Sequence, residues 1–198
     1  MGAAFSDDLE AWLHREGTRT FGELADVFGE KGFAVTIILL MSIPAIPLPT
    51  GGVTHVFEAV TVLIGAEMVV GRRTLWLPDR IRRRELGPVV GGKAVPFIIR
   101  RVRWFEKHSR RRLGPLFGQR WFRAVLGLIV IAFAVAAALA PPFSGLDTIP
   151  ALGAVIVALA IILEDAVVLV AGVAIGLAGI ALMVSIGAAL AHFLRELL

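Results

Sequence analysis

The sequence contains no cysteine. Disulfides, thiolate metal sites and cysteine nucleophiles are therefore excluded. It also lacks the basic start and apolar stretch of a secretory signal: residues 1–31 carry Asp7, Asp8, Glu10, Glu16, Glu23, Asp26 and Glu30. Several long stretches lack charge altogether, namely residues 33–49, 124–143 and 166–194. No Walker loop, GxSxG elbow or HExxH occurs. His55 and His192, the two histidines near apolar segments, are too sparse for a histidine metal site. No cofactor, no metal and no enzymatic activity are expected.

What the chain has in excess is hydrophobicity. Of its 198 residues 57% are apolar, and the mean hydropathy is +0.81. A soluble domain is about 45–50% apolar. Roughly 20 apolar residues span a 30 Å hydrocarbon core, so the runs at 124–143 and 166–194 are long enough to cross. They have no polar face, and a chain this short cannot bury three such helices in a water-soluble core. The expectation is an all-α, polytopic membrane protein in a single domain.

Positive charge is as localised as the apolar runs. Sixteen of the twenty Lys and Arg lie in residues 71–123, opposed there only by Asp79, Glu85 and Glu106, a net of +13. Basic loops of this length stay in the cytoplasm. Within the loop, Val95, Ile98, Ile99, Val102 and Phe105 repeat at helical spacing, with Arg100, Arg101, Arg103 and Lys107 on the other faces. This is the pattern of an amphipathic helix on a membrane surface, with Arg toward anionic headgroups. Packing against the protein's own membrane domain fits the same pattern. A nucleic-acid patch is the less simple reading, because membrane segments tether the loop on both sides.

Two apolar stretches are interrupted. Pro44, Pro47 and Pro49, followed by Gly51 and Gly52, cannot lie in one regular helix, and neither can the segment holding Pro141, Pro142 and Pro150. Short helices follow each break. At an offset of 97 the stretches align without gaps, Pro44 on Pro141 and Glu67 on Glu164. Two helix–Pro/Gly break–short helix units result, a possible internal repeat of the kind that marks transporter sites at mid-membrane. Both breaks are expected to be non-helical and inside the protein, because an exposed break would leave backbone groups unpaired in lipid. The parts are then a cytoplasmic N-terminal segment (1–32), a first broken unit (33–70), the basic loop (71–123), and a second broken unit with a C-terminal helix (124–198). That last run is long enough that it must tilt strongly or break at a glycine.

Carboxylates in apolar sequence are functional candidates by default. His55 and Glu58, three apart, share a helix face and suit proton exchange or cation binding. Glu67 lies on the opposite face. It is either a pathway residue or a boundary residue paired with Arg72 or Arg73. Glu164 and Asp165 are likewise either pathway residues or a wet turn between helices, and Asp147 lies in the second break. Gly172 and Gly176 have the small-xxx-small spacing that suits close helix packing or a homodimer contact.

Five segments occur in an order that resembles a known family: Thr20-Phe-Gly-Glu-Leu, Ile43-Pro-Ala-Ile-Pro-Leu-Pro-Thr-Gly-Gly, Gly71-Arg-Arg-Thr-Leu-Trp-Leu-Pro78, Arg103-Trp-Phe-Glu-Lys-His-Ser-Arg-Arg-Arg-Leu113 and Ile149-Pro-Ala-Leu with Leu-Glu-Asp165. Over residues 18–198 the chain resembles the ExoD family of bacterial exopolysaccharide-synthesis proteins. It departs from the pattern at Arg111, where proline is usual, and at Ala166, where glycine is usual. The resemblance implies a bacterial inner-membrane protein linked to exopolysaccharide production, with no catalytic residue to carry over. Two roles fit: a carrier of an anionic or lipid-linked substrate, or a non-transporting assembly or regulatory factor that binds anionic lipid or polysaccharide-synthesis proteins.

Overall fold

The structure, a computed structural model, describes residues 29–46, 54–72, 74–76, 79–83, 114–141 and 144–197, with Asp7, Glu10, Ala11, Thr20, Gly22, Glu23, Asp26, Arg100 and Arg103. The described residues are helical, with no strand. After a 3-10 turn at Gly29–Lys31 come α1 (Gly32–Met41) and α2 (Thr54–Val70), then α3 (Arg120–Leu139), α4 (Thr148–Leu163) and α5 (Ala166–Leu197). One-turn helices at Asp79–Arg82 and Gly114–Phe117 lie between α2 and α3.

α1 is apolar except for Thr36, and all ten of its residues are buried. Thr36 avoids an unpaired hydroxyl by donating to the Gly32 carbonyl at 2.8 Å. α1 packs chiefly on α4 and also on α2, while α2 pairs with α3 and α4 with α5. Glycines set how closely these pairs approach. A Cβ on Gly127 would lie 2.6 Å from the Gly65 carbonyl, and one on Gly153 would lie 2.5 Å from the Gly176 Cα. The Gly172 and Gly176 pair is used inside the chain, against Val157, Gly153 and Phe133.

α3 and α5 are long and apolar enough to cross a membrane. Only 39% and 22% of their apolar windows are buried, whereas a soluble protein's core helix would be mostly covered. Leu128, Val135 and Leu139 on α3, and Val170, Leu177 and Val184 on α5, face outward. Outward faces this apolar belong against lipid, so the chain is a membrane-associated protein. α5 runs unbroken for 32 residues, about 48 Å, so no glycine interrupts it. Its exposed positions beyond Ala181 project past α4, which at about 24 Å is half as long.

The helix–break–helix order occurs twice, but the register differs from the ungapped alignment. α2 ends at Val70 and α4 at Leu163, an offset of 93 and not 97. Glu67 lies inside α2, whereas Glu164 lies beyond the end of α4, so the two are not equivalent. In the first break Ser42, Ile43, Pro44 and Ala45 form a turn, and Pro44 is buried as expected. Pro47, Pro49, Gly51 and Gly52 lie outside the described residues.

The second break corrects the expectation twice. Pro141, Ser144 and Gly145 are exposed on the protein surface. Pro150 is helical, in the first turn of α4, where a missing N–H leaves no bond unmade. Ser144 closes the exposed turn itself, donating to the Pro141 carbonyl and accepting from the Leu146 N–H. Pro142 lies outside the described residues. So does most of the expected amphipathic helix, with Arg101 and Lys107.

The glycine seam yields a test. Gly153→Ala forces backbone apart between α4 and α5 and is expected to cost about 1–3 kcal/mol. Gly187→Ala, where a Cβ meets nothing within 4 Å, is expected to be neutral or stabilising. The check is the midpoint of heat-induced loss of monodispersity in detergent. Equal midpoints would show that the seam does not hold the pair.

Candidate functional site

The sequence places His55 and Glu58 one turn apart on α2, and the structure joins them. The His55 Nδ1 lies 2.8 Å from the Glu58 Oε2. Glu58 is completely buried, while the His55 side chain is 43% exposed. The other carboxylate oxygen, Oε1, has no hydrogen-bond partner among the described residues. Thr54 and Thr61 share this face at i−4 and i+3 and are buried too. Thr61 satisfies its hydroxyl on the Phe57 carbonyl, at 2.8 Å.

Asp147, at the N-cap position of α4, lies close enough to Glu58 for their charges to interact. Asp147 is legible in the sequence as a polar residue in an apolar stretch, but nothing there says which helix it meets. The Thr54–Glu58–Thr61 spacing is a helical-face signal that composition alone obscures.

The other carboxylates have local duties. The Glu67 Oε2 accepts the Trp76 N–H at 2.8 Å, and Arg72 lies near enough to act on its charge. The chain reverses between them through Gly71, at φ 82°. There the Arg72 N–H bonds the Glu67 carbonyl and the Gly71 N–H bonds that of Met68, which closes the helix end. Arg72 then sits 5.6 Å from the Trp76 ring centre. Glu67 is buried with its Oε1 unpartnered among the described residues, and its Oε2 ties α2 to the segment that follows.

Glu164 and Asp165 form the tight turn from α4 to α5. Glu164 takes a left-handed conformation, φ 54°. Asp165 caps α5, its Oδ1 accepting the Val167 N–H at 2.8 Å. Both are turn residues, as the blander reading expects, although Asp165 is buried and not wet.

At the other end of α2 the protein is basic and aromatic. Arg120 donates to the Val70 carbonyl at 3.0 Å, and Trp76 and Trp121 are exposed. Two loop arginines meet the acidic N-terminal segment. Arg82 pairs with Asp26 at 2.8 Å, and Arg103 pairs with Asp7 and Glu10. The Glu10 carboxylate, and then Asp7, hold the Arg103 pKa above its ordinary value. Arg103, expected at lipid headgroups, is therefore engaged within the chain, and Arg100 is exposed. Thr20, Glu23, Asp26, Asp79, Arg82 and Arg83 line an open cleft here, away from Glu58. Among the described residues no cluster of three His, Cys, Asp or Glu offers a metal site.

Residues 5–185 match the family described as Exopolysaccharide synthesis, ExoD. The chain belongs to this family. Protein ExoD of Rhizobium meliloti is 29% identical over 175 residues, covering 85% of this chain and 71% of its own. An uncharacterized protein of Synechocystis is 23% identical over 187 residues, covering 93% and 87%. No solved structure matches the chain. Membership makes this an exopolysaccharide-synthesis protein and accounts for the ordered segments from Thr20 to Asp165.

The duty assigned to Glu67 is testable. Glu67→Gln keeps an acceptor for the Trp76 N–H and is expected to leave abundance and thermal midpoint near wild type. Glu67→Leu removes the acceptor and is expected to cost about 1–3 kcal/mol. A Gln variant as unstable as the Leu variant would show that charge, not the hydrogen bond, is what matters.

Proposed function

We propose that this family member is a multi-pass inner-membrane protein that carries an anionic or lipid-linked substrate in exopolysaccharide synthesis or export. One observation carries the reading: Glu58 is completely buried on the apolar α2 and is held by the partly exposed His55, with the charge of Asp147 in the second break within electrostatic range. Glu58 lies twelve residues from the basic end of α2, about 18 Å along the helix. A carboxylate at that depth is costly, and such residues mark ion and substrate pathways. Two carboxylates repel an anion, so the pair suits a coupling cation or proton. The anionic part of the cargo belongs at the basic end, near Arg72 and Arg120.

The arrangement of the units supports the same reading. Asp26, six residues before α1, pairs with Arg82, and Arg120 at the start of α3 bonds the end of α2. Both units thus leave from the basic end, as a parallel internal repeat would. The N-terminal segment shares that end, which the positive-inside rule places in the cytoplasm. In this cysteine-free chain, Ser6→Cys and Ser109→Cys are each expected to label only from the cytoplasmic side. Labelling of the two from opposite sides would overturn the topology.

The functional test is exopolysaccharide yield in a deletion strain. Glu58→Gln, present in the membrane at wild-type abundance, is expected to fail to restore it, while Glu67→Gln restores it. Full restoration by Glu58→Gln would remove the carrier and favour the second role. In that role the membrane part is an anchor, and the basic loop binds anionic lipid or polysaccharide-synthesis proteins. The structural duties of Glu67, Glu164 and Asp165 are the observation on its side, because they leave few described carboxylates in the apolar segments, Glu58 foremost, without such a duty.

A further inference from the structure

We infer that Glu58 and His55 together form a proton-binding site, loaded through His55 from the side of the protein opposite the basic loop. The inference deepens the carrier reading by naming the coupled species. It rests on that reading for its use but not for its chemistry.

A metal cation stripped of water needs about six oxygen ligands. Beside Glu58 on its face of α2 the described residues add only the hydroxyls of Thr54 and Thr61, and the Thr61 proton is committed to the Phe57 carbonyl. No three-residue metal cluster exists among them. A proton needs only one oxygen of the Glu58 carboxylate. Its Oε2 is held by His55, while its Oε1 is buried without a partner among the described residues. An unpaired ionised oxygen in that position is expensive, and one proton removes the expense.

His55 supplies the route. Nδ1 is turned to the buried carboxylate, and the ring is partly exposed. A proton taken from water at Nε2, with release of the Nδ1 proton to the Glu58 Oε2, leaves a neutral imidazole and a carboxylic acid. The pair gains one proton, and no other bond changes. His55 lies in the first turn of α2, fifteen residues from Val70, so its exposed edge is about 22 Å along the helix from the basic end.

Few other charges face this pair. α1 contributes none, and the described part of the first break contributes none. α3 brings only Arg120 and Arg123, at the basic end. The second break brings Asp147, and Glu67 lies nine residues away on the opposite face of α2.

The test uses the full chain, purified in nanodiscs of mixed zwitterionic and anionic phospholipid. Infrared difference spectra are recorded across pH at fixed ionic strength, with sodium or with a bulky organic cation. The expected result is a protonated-carboxyl stretch that fades as pH rises, moves in heavy water, is absent in Glu58→Gln, and has an altered midpoint in His55→Gln. Sodium should leave the midpoint unchanged. Where Glu58→Gln does not fold, carboxyl-13C glutamate in a Glu67→Gln chain makes the assignment, since the label moves a glutamate band and not one from Asp147, and the other buried glutamate is gone.

The proposal falls if no glutamate carboxyl titrates, if His55→Gln leaves the midpoint where it was, or if sodium displaces the proton. A titrating Glu58 in a protein whose Glu58→Gln variant restores exopolysaccharide keeps the proton site and removes the carrier. No titrating band, with exopolysaccharide lost in Glu58→Gln, removes the proton site and keeps the carrier.

Discussion

Lipid offers no hydrogen bonds, and the rest of this structure follows from that constraint. Every polar group carried into the interior must find its partner within the chain. Thr36 and Thr61 turn back onto carbonyls of their own helices. α2 and α4 end by folding the next N–H groups onto their last turns, with Arg72 reaching Glu67 and Asp165 reaching Ala160. Asp165 then caps the following helix and Glu67 takes the Trp76 N–H. Against that pattern, the Glu58 Oε1 is buried without a described partner, as are the Glu67 Oε1 and the Thr148 hydroxyl, and of the three only Glu58 is also held by a histidine. The same kind of economy is visible at Glu164, where a left-handed residue other than glycine costs about 1 kcal/mol. That strain is tolerated because α5 must reverse sharply to lie on α4.

Close helix contact then turns local satisfaction into a site. Gly65 on Gly127 fixes α2 against α3, and Gly153 on Gly176 fixes α4 against α5. α4 also packs on α1 and α3, so the start of α4 has little freedom of position. Those seams set how far the Asp147 charge sits from Glu58. Methyl groups at these glycines would therefore act on the site as well as on stability, although none of them touches a carboxylate.

The sequence carried the pairing of His55 with Glu58 because a three-residue spacing in a helix is a local fact. It carried the charge-free runs and the Pro44 turn for similar reasons. Register was not legible. An ungapped match of Glu67 to Glu164 assumes equal breaks, whereas α2 stops at a glycine, Gly71, and α4 stops at Leu163 with no glycine to announce it. Pro150 reads as a helix breaker until its place in a first turn is known, and exposure of Pro141 and Ser144 depends on how far α3 reaches before it ends. The electrostatic influence of Asp147 on Glu58 acts across 89 residues of chain, and no local pattern encodes it.

Charge is sorted along the protein as strictly as polarity. The +13 of residues 71–123 meets an N-terminal segment whose seven acids outnumber its three basic residues, and the carboxylates of the remaining chain bring the sum down to the formal +4. The pairs that join them, Arg82 with Asp26 and Arg103 with Asp7 and Glu10, are largely exposed. Exposed pairs are weak and salt-screened, so they hold the segment over the loop without locking it there. Glu58 and His55 lie at the far end of α2 from this charge, behind apolar turns that contain no cation. Anionic groups are drawn to one end of the protein, and the buried carboxylate at the other is left to a partner small enough to reach it through His55.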